Sequence, residues 1–276
     1  MGFVKFGPNG NEWDVDSFNF PGGEVQVKLL NTSLGYSESV NVDAQIQSSD
    51  DVMKLLLTCE ALCANGWNCH ALHIAYVPYA RQDRRCNIGE AHSLKVFCKL
   101  INSLKFKQVR VLDPHSDVVE ALIDNVMCIP QEKIVERSVP YIREYYLISP
   151  DAGALKKIYK VAKTSGAKGV IKADKVRNIQ TGKIESVDVN VDSKLLDSNN
   201  KFLVVDDICD GGRTFVELAK ALASEGIKKE ELTLFVTHGI FSNGFDELLQ
   251  YYNHIYTTNS FRCDINHKDV TVYNIW

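Results

Sequence analysis

The most informative stretch of the sequence joins an apolar run to two carboxylates and a glycine turn. Val204 and Val205 lead into Asp206 and Asp207, and the turn that follows precedes a helix-forming segment. Backbone N–H groups of such a turn, with the N-terminus of a helix, form an anion site. Adjacent carboxylates suit the vicinal hydroxyls of a sugar, or Mg²⁺. The string predicts a ribose phosphate site; the alternative is a purely structural turn at an acidic strand end. The residues of the predicted site are Asp206, Asp207, Asp210, Gly211, Gly212, Arg213 and Thr214.

Two other segments carry groups that could bind phosphate or a metal ion. Arg81, Gln82 and Arg84 lie in a polar loop after an apolar run. Guanidinium groups bind phosphate oxygens in pairs, so this loop suits an adenine edge with its polyphosphate. The alternative is a solvated loop whose arginines pair with Asp83. A lone histidine such as His115 is more often structural than a ligand, so its position alone decides nothing.

The elements that must position these groups alternate along the chain. Short β-rich runs and amphipathic helical segments follow one another, which predicts an α/β fold with largely parallel sheets. Ligands bind at the carboxyl ends of parallel strands, where the polar segments above occur. The predicted strands are 25–30, 40–46, 71–77, 108–112, 145–148, 169–172, 184–191, 202–205, 232–236 and 254–258. The predicted helices are 50–65, 90–104, 152–164, 214–225 and 244–252.

The length of 276 residues predicts about two domains. The theme repeats in the second half of the chain, so we expect domains at 1–137 and 138–276. The eight spread cysteines and the lack of a signal peptide favour a reduced, cytoplasmic protein. A metal site among Cys59, Cys63, Cys69, His70 and His73 is an alternative that lacks a C-x-x-C pair.

The composition excludes several classes of protein. Apolar residues make up 45% and charged residues 24%, which excludes a disordered or fibrous chain. The 31 basic and 35 acidic residues give a net charge of -4, which argues against a nucleic-acid or general membrane-surface binder. No apolar run is long enough to span a membrane. We therefore expect small-molecule substrates, no nucleic acid and no membrane.

Three strings together resemble one family. The segment 204–214 resembles the ribose-phosphate motif of type I phosphoribosyltransferase folds. The strings Tyr79-Ala80-Arg81-Gln82-Asp83-Arg84 and Asp113-Pro114-His115-Ser116 resemble the ATP-binding stretch and the D-L-H motif of ribose-phosphate pyrophosphokinases (PRPP synthetases). Weaker similarities at 20–24 and 149–153 occur in family order, so the resemblance covers most of the chain.

The resemblance implies a fold, a reaction and roles for particular residues. The fold would be two tandem phosphoribosyltransferase-like domains, each with a mainly parallel sheet flanked by helices. The reaction would be Mg²⁺-dependent transfer of the pyrophosphoryl group of ATP to the anomeric hydroxyl of ribose 5-phosphate, and the assembly a homodimer or homohexamer. The implied ATP-binding residues are Phe20, Glu24, Arg81, Gln82 and Arg84; the metal ligands are His115 and Asp151; the catalytic residues are Lys175, Arg177 and His115. Lys175 and Arg177 match a K-x-R pair on the family's mobile catalytic loop, and we expect a polar loop at 173–183.

The sequence departs from the family pattern at two places. Arg213 replaces a small residue in the phosphate loop, and Gly22 replaces the acid of F-x-D-G-E. These changes motivate an alternative acceptor, ADP-ribose, with Arg213 on its diphosphate, as in a phage-type variant serving NAD⁺ salvage in host cytoplasm. Two rivals are a phosphoribosyltransferase, which has no need of the 79–84 string or a second α/β domain, and a non-catalytic homologue. The non-catalytic homologue should have lost the Lys/Arg loop or the metal ligands, but Lys175, Arg177, His115 and Asp151 are all present.

Overall fold

A computed structural model describes residues 2–6, 15–30, 39–177, 184–196 and 199–275. The chain divides into two compact units, Met1–Ile129 and Pro130–Trp276. The boundary that we predicted between residues 137 and 138 falls inside a helix of the second unit, Gln131–Ser138. That short helix did not stand out in the sequence because it spans only two turns.

The first unit contains a five-stranded, all-parallel sheet and a separate two-stranded hairpin. The sheet has the order β1-β4-β5-β6-β7, and β2 pairs antiparallel with β3. The elements are β1 (Gly2–Phe6), β2 (Val15–Asn19), β3 (Val25–Leu29), β4 (Ser39–Ala44), α1 (Ser49–Ala64), β5 (Asn68–Ile74), α2 (Ser93–Ser103), β6 (Gln108–Leu112), α3 (Val118–Leu122) and β7 (Val126–Ile129).

Helix α1 illustrates how local sequence signals build this unit. Ser48 caps the helix by accepting a hydrogen bond from the Asp51 backbone, and Asp51 accepts one from the Ser48 backbone in return. Leu55 and Leu62 lie on the buried stripe that packs onto the sheet. The helix ends at Ala64, and Gly66 follows in the left-handed conformation with a φ of 85°.

The second unit contains a seven-stranded sheet that is parallel except at one edge. The strand order is β10-β9-β8-β11-β12-β13-β14, and only the β9–β10 pair is antiparallel among the described strands. The elements are α4 (Gln131–Ser138), β8 (Tyr145–Ser149), α5 (Leu155–Ser165), β9 (Gly169–Arg177), β10 (Ile184–Val189), β11 (Lys201–Cys209), α6 (Arg213–Ser224), β12 (Leu232–Gly239), α7 (Leu248–Tyr251), β13 (His254–Thr258) and β14 (Val270–Tyr273).

The strand order of the second sheet reverses direction between β8 and β11. From β8 the chain adds β9 on one side, whereas β11 is followed by β12 on the other side. In open α/β sheets a crevice forms at the carboxyl ends of the strands that flank such a reversal, and ligands bind there. The residues after β8 and at the end of β11 are therefore the place to look for a site in this unit.

The structure confirms an α/β fold and corrects three local predictions. The predicted polar loop at 173–183 is wrong for residues 173–177, where β9 continues and pairs with β10. The predicted helix 244–252 is reduced to Leu248–Tyr251. Strand β11 runs to Cys209 rather than stopping at 205, because β12 pairs with it as far as Gly239.

In the described part of the chain, no helix combines the length and the apolar character that a membrane span needs.

Candidate functional site

Three carboxylates of the second unit meet at the strand-order reversal. Asp151 follows β8, and Asp206 and Asp207 lie near the end of β11. The backbone N–H of Asp207 donates to the Asp206 carboxylate at 2.9 Å. Burial and the neighbouring charges of Asp207 and then Asp151 raise the pKa of Asp206 well above its usual range. The structure thus brings together two residues predicted as sugar ligands and one predicted as a metal ligand.

A lysine that the sequence reasoning missed lies in this cluster. Lys157 of α5 places its Nζ 3.2 Å from Oδ2 of the buried Asp207. The ammonium group of Lys157 offsets part of the negative charge of the three carboxylates. It lowers the pKa of Asp206, but burial and the neighbouring carboxylates raise that pKa by more. A helical lysine gives no motif signal; only the docking of α5 beside β11 reveals it.

The turn after β8 is held by its own polar groups. The carboxylate of Asp151 accepts a hydrogen bond from the Ala154 backbone at 3.0 Å, and the Ser149 hydroxyl donates to the Asp151 carbonyl at 2.7 Å. These bonds fix where the Asp151 carboxylate lies before any ligand binds. The turn therefore supplies a positioned anionic group rather than a loose one.

The predicted phosphate loop is a tight turn that opens α6. Gly212 has a φ of 80°, a left-handed conformation that side chains rarely adopt, and its carbonyl accepts the first bonds of the helix, from Phe215 and Val216. Arg213 is the first residue of α6 and is exposed. The first N–H groups of a helix lack partners within it, so this turn offers donors to an anion.

A second segment braces this loop from outside. The hydroxyl of Ser242 donates to the Asp210 carboxylate at 2.7 Å, and the Asn243 amide donates to the Gly211 carbonyl at 3.2 Å. The Asp210 side chain therefore holds the loop in shape. A Cβ on Gly211 would lie 3.0 Å from that amide nitrogen, so the Asn243 side chain would have to shift by a few tenths of an ångström.

In the first unit, the loops after β5 and β6 carry the predicted ATP and metal residues. Asp83 is buried, and its carboxylate accepts a hydrogen bond from Nε of Arg84 at 3.0 Å. Burial alone would raise the pKa of Asp83, but the Ser116 hydroxyl and the charges of Arg84 and His115 outweigh burial and lower it. The structure thus brings the 79–84 string and the 113–116 string together around one carboxylate.

The predicted ligand-binding side chains of this unit face solvent. Arg81, Gln82, Arg84 and His115 are all exposed. Asp113, by contrast, is buried and has a φ of 37°. Strained backbone of this kind persists where surrounding structure imposes it, and here it turns the chain sharply after β6.

Phe20 and Glu24 occupy the turn of the β2–β3 hairpin. The backbone N–H of Phe20 donates to the Glu24 carbonyl at 2.7 Å, and both side chains are exposed. The structure places them on a projecting hairpin rather than on the five-stranded sheet. Their role in binding ATP stays a prediction.

The remaining predicted residues are positioned only by their backbone. Lys175 and Arg177 lie on β9, where they pair with Val187 and Ile184 of β10. Residues 178–183, the rest of the predicted catalytic loop, lie outside the described residues. Among described side chains, Lys172 forms an exposed ion pair with Asp174 at 2.8 Å.

The described residues fit Mg²⁺ only in part. No group of three or more histidine, cysteine or acidic side chains in the described chain is arranged to hold a metal ion. Mg²⁺ binds through one or two carboxylates when phosphate and water oxygens complete its octahedron, so Asp151 suits that role with a phosphorylated substrate present. His115 and Asp151 belong to different units.

All eight cysteines, including the Cys59–Cys63–Cys69 group, are free thiols.

Comparisons with known proteins point to one family. No family model matches the chain. Ribose-phosphate pyrophosphokinases are 26% identical in Pyrococcus abyssi (96% of this chain, 90% of that protein), 26% in Thermosipho africanus (86% and 74%) and 29% in Aquifex aeolicus (81% and 70%).

A solved structure supports the same fold. The phosphoribosylpyrophosphate synthetase of Mycobacterium smegmatis covers 100% of this chain and 95% of its own, with a TM-score of 0.81 and 20% identity. The α/β prediction with phosphoribosyltransferase-like domains is therefore confirmed. The chain is therefore similar to ribose-phosphate pyrophosphokinases along most of its length.

Proposed function

We propose that this enzyme transfers the pyrophosphoryl group of ATP to the anomeric hydroxyl of ribose 5-phosphate, giving a PRPP product and AMP. The observation that carries the proposal is the meeting of Asp151, Asp206 and Asp207 at the strand-order reversal, directly before the glycine turn of α6. Relatives named for this reaction align along most of the chain. The product would enter nucleotide biosynthesis.

The acceptor would bind entirely within the second unit. Asp206 and Asp207 would accept hydrogen bonds from the ribose hydroxyls, and the backbone of 210–214 would bind the 5-phosphate at the start of α6. The loop is held in shape by Ser242 before any phosphate arrives. A preformed cradle lowers the entropy cost of fixing the acceptor.

ATP would bind to the first unit. Arg81, Gln82 and Arg84 are exposed and would contact the nucleotide, with Phe20 and Glu24 as further contacts. The buried Asp83 accepts a hydrogen bond from Nε of Arg84, which anchors that guanidinium, and its terminal nitrogens would bind phosphate oxygens. Asp83 is in this account a positioning residue.

Magnesium would be held by His115 and Asp151 and would neutralise charge on the phosphates. The chain's own residues would bind and orient the two substrates. The anomeric oxygen forms a bond to the β-phosphorus while the bond from that phosphorus to the α–β bridging oxygen breaks; AMP keeps the bridging oxygen and the hydroxyl proton passes to solvent. Positioning and charge stabilisation supply most of the rate in such transfers.

Lys175 and Arg177 would stabilise the charge that develops on the transferred group. We expect Lys175→Ala to lower kcat about a hundredfold or more, the scale of losing one preorganised charge. Lys172→Ala is the matched control on the same strand, since Lys172 forms an exposed ion pair with Asp174. Equal kcat values for the two variants would reject the role of Lys175.

ADP-ribose is the second candidate acceptor, favoured by Arg213. The guanidinium of Arg213 lies at the N-terminus of α6, which is the positive end of the helix dipole. Two positive charges at one place are unfavourable until an anion binds there. A second phosphate on the acceptor would supply that anion. The reaction would then be that of an ADP-ribose pyrophosphate synthetase in NAD⁺ salvage, in a phage-type member of the family.

A coupled assay of AMP release decides between the acceptors. The purified protein is given ATP and Mg²⁺ with ribose 5-phosphate, with ADP-ribose, or with no acceptor. The proposal predicts AMP release that depends on ribose 5-phosphate; release only with ADP-ribose supports the second candidate. No release with either acceptor contradicts both proposals.

The free cysteines fit a reducing compartment, so we propose that the protein works in the cytoplasm. We propose a homodimer or homohexamer as its working assembly.

A further inference from the structure

Three cysteines of the first unit lie together where α1 ends and β5 begins. Cys59 and Cys63 are one helical turn apart on α1, so their side chains lie on the same side of the helix. Cys69 is the second residue of β5, and its sulfur accepts hydrogen bonds from the thiols of both. All three are free thiols, so Cys69 has two cysteines within reach of a disulfide.

An irregularity in β5 turns Cys69 towards the helix. Cys69 and Ala71 pair with consecutive residues of β4, and His70 between them is the extra residue. In a regular strand two residues that are three apart face opposite sides of the sheet, but a bulge changes this alternation. Cys69 and Leu72 therefore belong to the same hydrophobic core as Leu62 of α1.

The turn between α1 and β5 holds the cluster in place. The backbone N–H of Gly66 donates to the Cys63 carbonyl, and that of the buried Trp67 donates to the Leu62 carbonyl, each at 3.0 Å. Cys63 lies in the last turn of α1, where a helix opens most easily, whereas Cys59 is buried a turn earlier. Cys63 is thus the partner that can move the short distance needed for a sulfur–sulfur bond.

The surroundings of the three sulfur atoms favour a thiolate on Cys69. The hydrogen bond from the Cys59 thiol lowers the pKa of Cys69; burial opposes this effect, and the bond from the Cys63 thiol adds to it. Burial, followed by the neighbouring charge of Cys69, raises the pKa of Cys63. The thiolate is the form of cysteine that reacts with peroxides, while the exposed Cys63 keeps its proton.

We propose that Cys69 and Cys63 form a reversible disulfide when the protein meets hydrogen peroxide. The Cys69 thiolate attacks one peroxide oxygen, the O–O bond breaks, and a sulfenic acid on Cys69 and hydroxide are formed. The Cys63 sulfur then bonds to the Cys69 sulfur, the S–O bond breaks, and the hydroxyl leaves as water with the Cys63 proton. Over both steps two thiols lose two electrons and two protons, and one peroxide becomes two water molecules. In a reducing compartment such a disulfide is transient and acts as a redox sensor.

Mass spectrometry of the peroxide-treated full chain tests the disulfide. Remaining thiols are alkylated, and the unreduced protein is cleaved after Glu60 and after Trp67, which separates the three cysteines from one another. We expect a link between Cys63 and Cys69 that a thiol reductant removes. A chain that forms no link, or one that links Cys69 to Cys59, would overturn the proposal.

Substitution of Cys63 tests the second step without disturbing the core, because that side chain is exposed. In Cys63→Ser we expect the yield of linked protein to fall about tenfold or more, and the Cys69 sulfenic acid to be trapped by a cyclic diketone. Cys86→Ser is the matched control, an exposed cysteine of the same unit, and should leave the yield within about twofold of wild type. Equal yields in the two variants would contradict the role of Cys63.

Cys59 is in this account a positioning residue that donates to the Cys69 thiolate. Cys59→Ala should slow formation of the link about tenfold, since one hydrogen bond to a charged group is lost. Cys59→Ser keeps a donor and should recover the rate to within about threefold of wild type. A serine variant as slow as the alanine variant would contradict the hydrogen-bonding role of Cys59.

Discussion

At the scale of one residue, the position of Asp206 in the candidate site disfavours its charged form and so lowers the stability of the folded protein. Its carboxylate lies beside Asp207 and near Asp151, and the single nearby cation, Lys157 among the described side chains, reaches Asp207 instead. Burial and like charge raise the pKa of Asp206. The two adjacent aspartates were predicted as sugar ligands from the sequence, whereas Lys157 was not, because nothing local to α5 marks it.

Asp206→Asn should make the protein more stable at neutral pH. A carboxyl whose pKa is raised by folding binds its proton more tightly in the native state, so its penalty grows as pH rises from the unfolded pKa to that raised pKa and is constant above it. We expect the variant to gain about 1 kcal/mol in unfolding free energy at pH 7–8, while the gain disappears below the unfolded pKa of about 4. Urea titrations at both pH values measure it. A variant less stable than wild type at pH 8 would contradict the electrostatic account.

At the scale of elements, the phosphate loop depends on a neighbour that the sequence motif does not include. The segment after β12 supplies Ser242, whose hydroxyl binds Asp210. The motif predicted Asp210 as a ligand contact, and that stays a prediction; in the fold its carboxylate also accepts the hydrogen bond that braces the loop. Such a pairing joins residues 32 positions apart, and only the adjacency of β11 and β12 creates it.

Ser242→Ala should loosen the loop without unfolding the protein. We expect KM for the acceptor to rise about five- to tenfold, since roughly one hydrogen bond of positioning is lost, with at most about 1 kcal/mol lost in unfolding free energy. Ser224→Ala is the control, because that hydroxyl only bonds the Lys220 carbonyl of its own helix. Steady-state kinetics with ATP saturating compare the two. An unchanged KM for Ser242→Ala would contradict the bracing role.

Gly212→Ala should destabilise the folded protein more than Gly22→Ala does in the β2–β3 hairpin. The φ of 80° at Gly212 disfavours a Cβ, so we expect a loss of about 1–2 kcal/mol in unfolding free energy and weaker acceptor binding. Gly22→Ala is the control, since an added Cβ there meets nothing within 4 Å and its φ is not left-handed. Thermal unfolding ranks the two variants. Equal stability would show that the turn relaxes out of its left-handed conformation.

The sequence predicted elements well where one periodic pattern ran without interruption. Helix α1 starts and ends within one residue of its prediction because Ser48 and Gly66 mark both ends. Strand β9 was cut short in the prediction because its polar half resembles a loop; pairing with β10 at the sheet edge makes it a strand. Edge pairing is a tertiary effect that local composition does not carry.

At the scale of the whole molecule, each unit has its own hydrophobic core. Leu55 and Leu72 belong to the first core and Val204 and Leu234 to the second. The repetition of strands and helices predicted two such units, and the structure divides them between Ile129 and Pro130. The predicted assignment of ATP to the first unit and the acceptor to the second follows from the motifs rather than from composition, since the net charge of -4 gave no sign of phosphate ligands.

The central claim is that one enzyme moves the β- and γ-phosphates of ATP together. Phosphorus NMR of the purified protein with ATP, Mg²⁺ and ribose 5-phosphate tests it most directly. The account predicts AMP and a new diphosphate ester of the sugar in equal amounts, with no ADP at early times. Formation of ADP and a monophosphate ester, or no consumption of ATP in the presence of the acceptor, would contradict it.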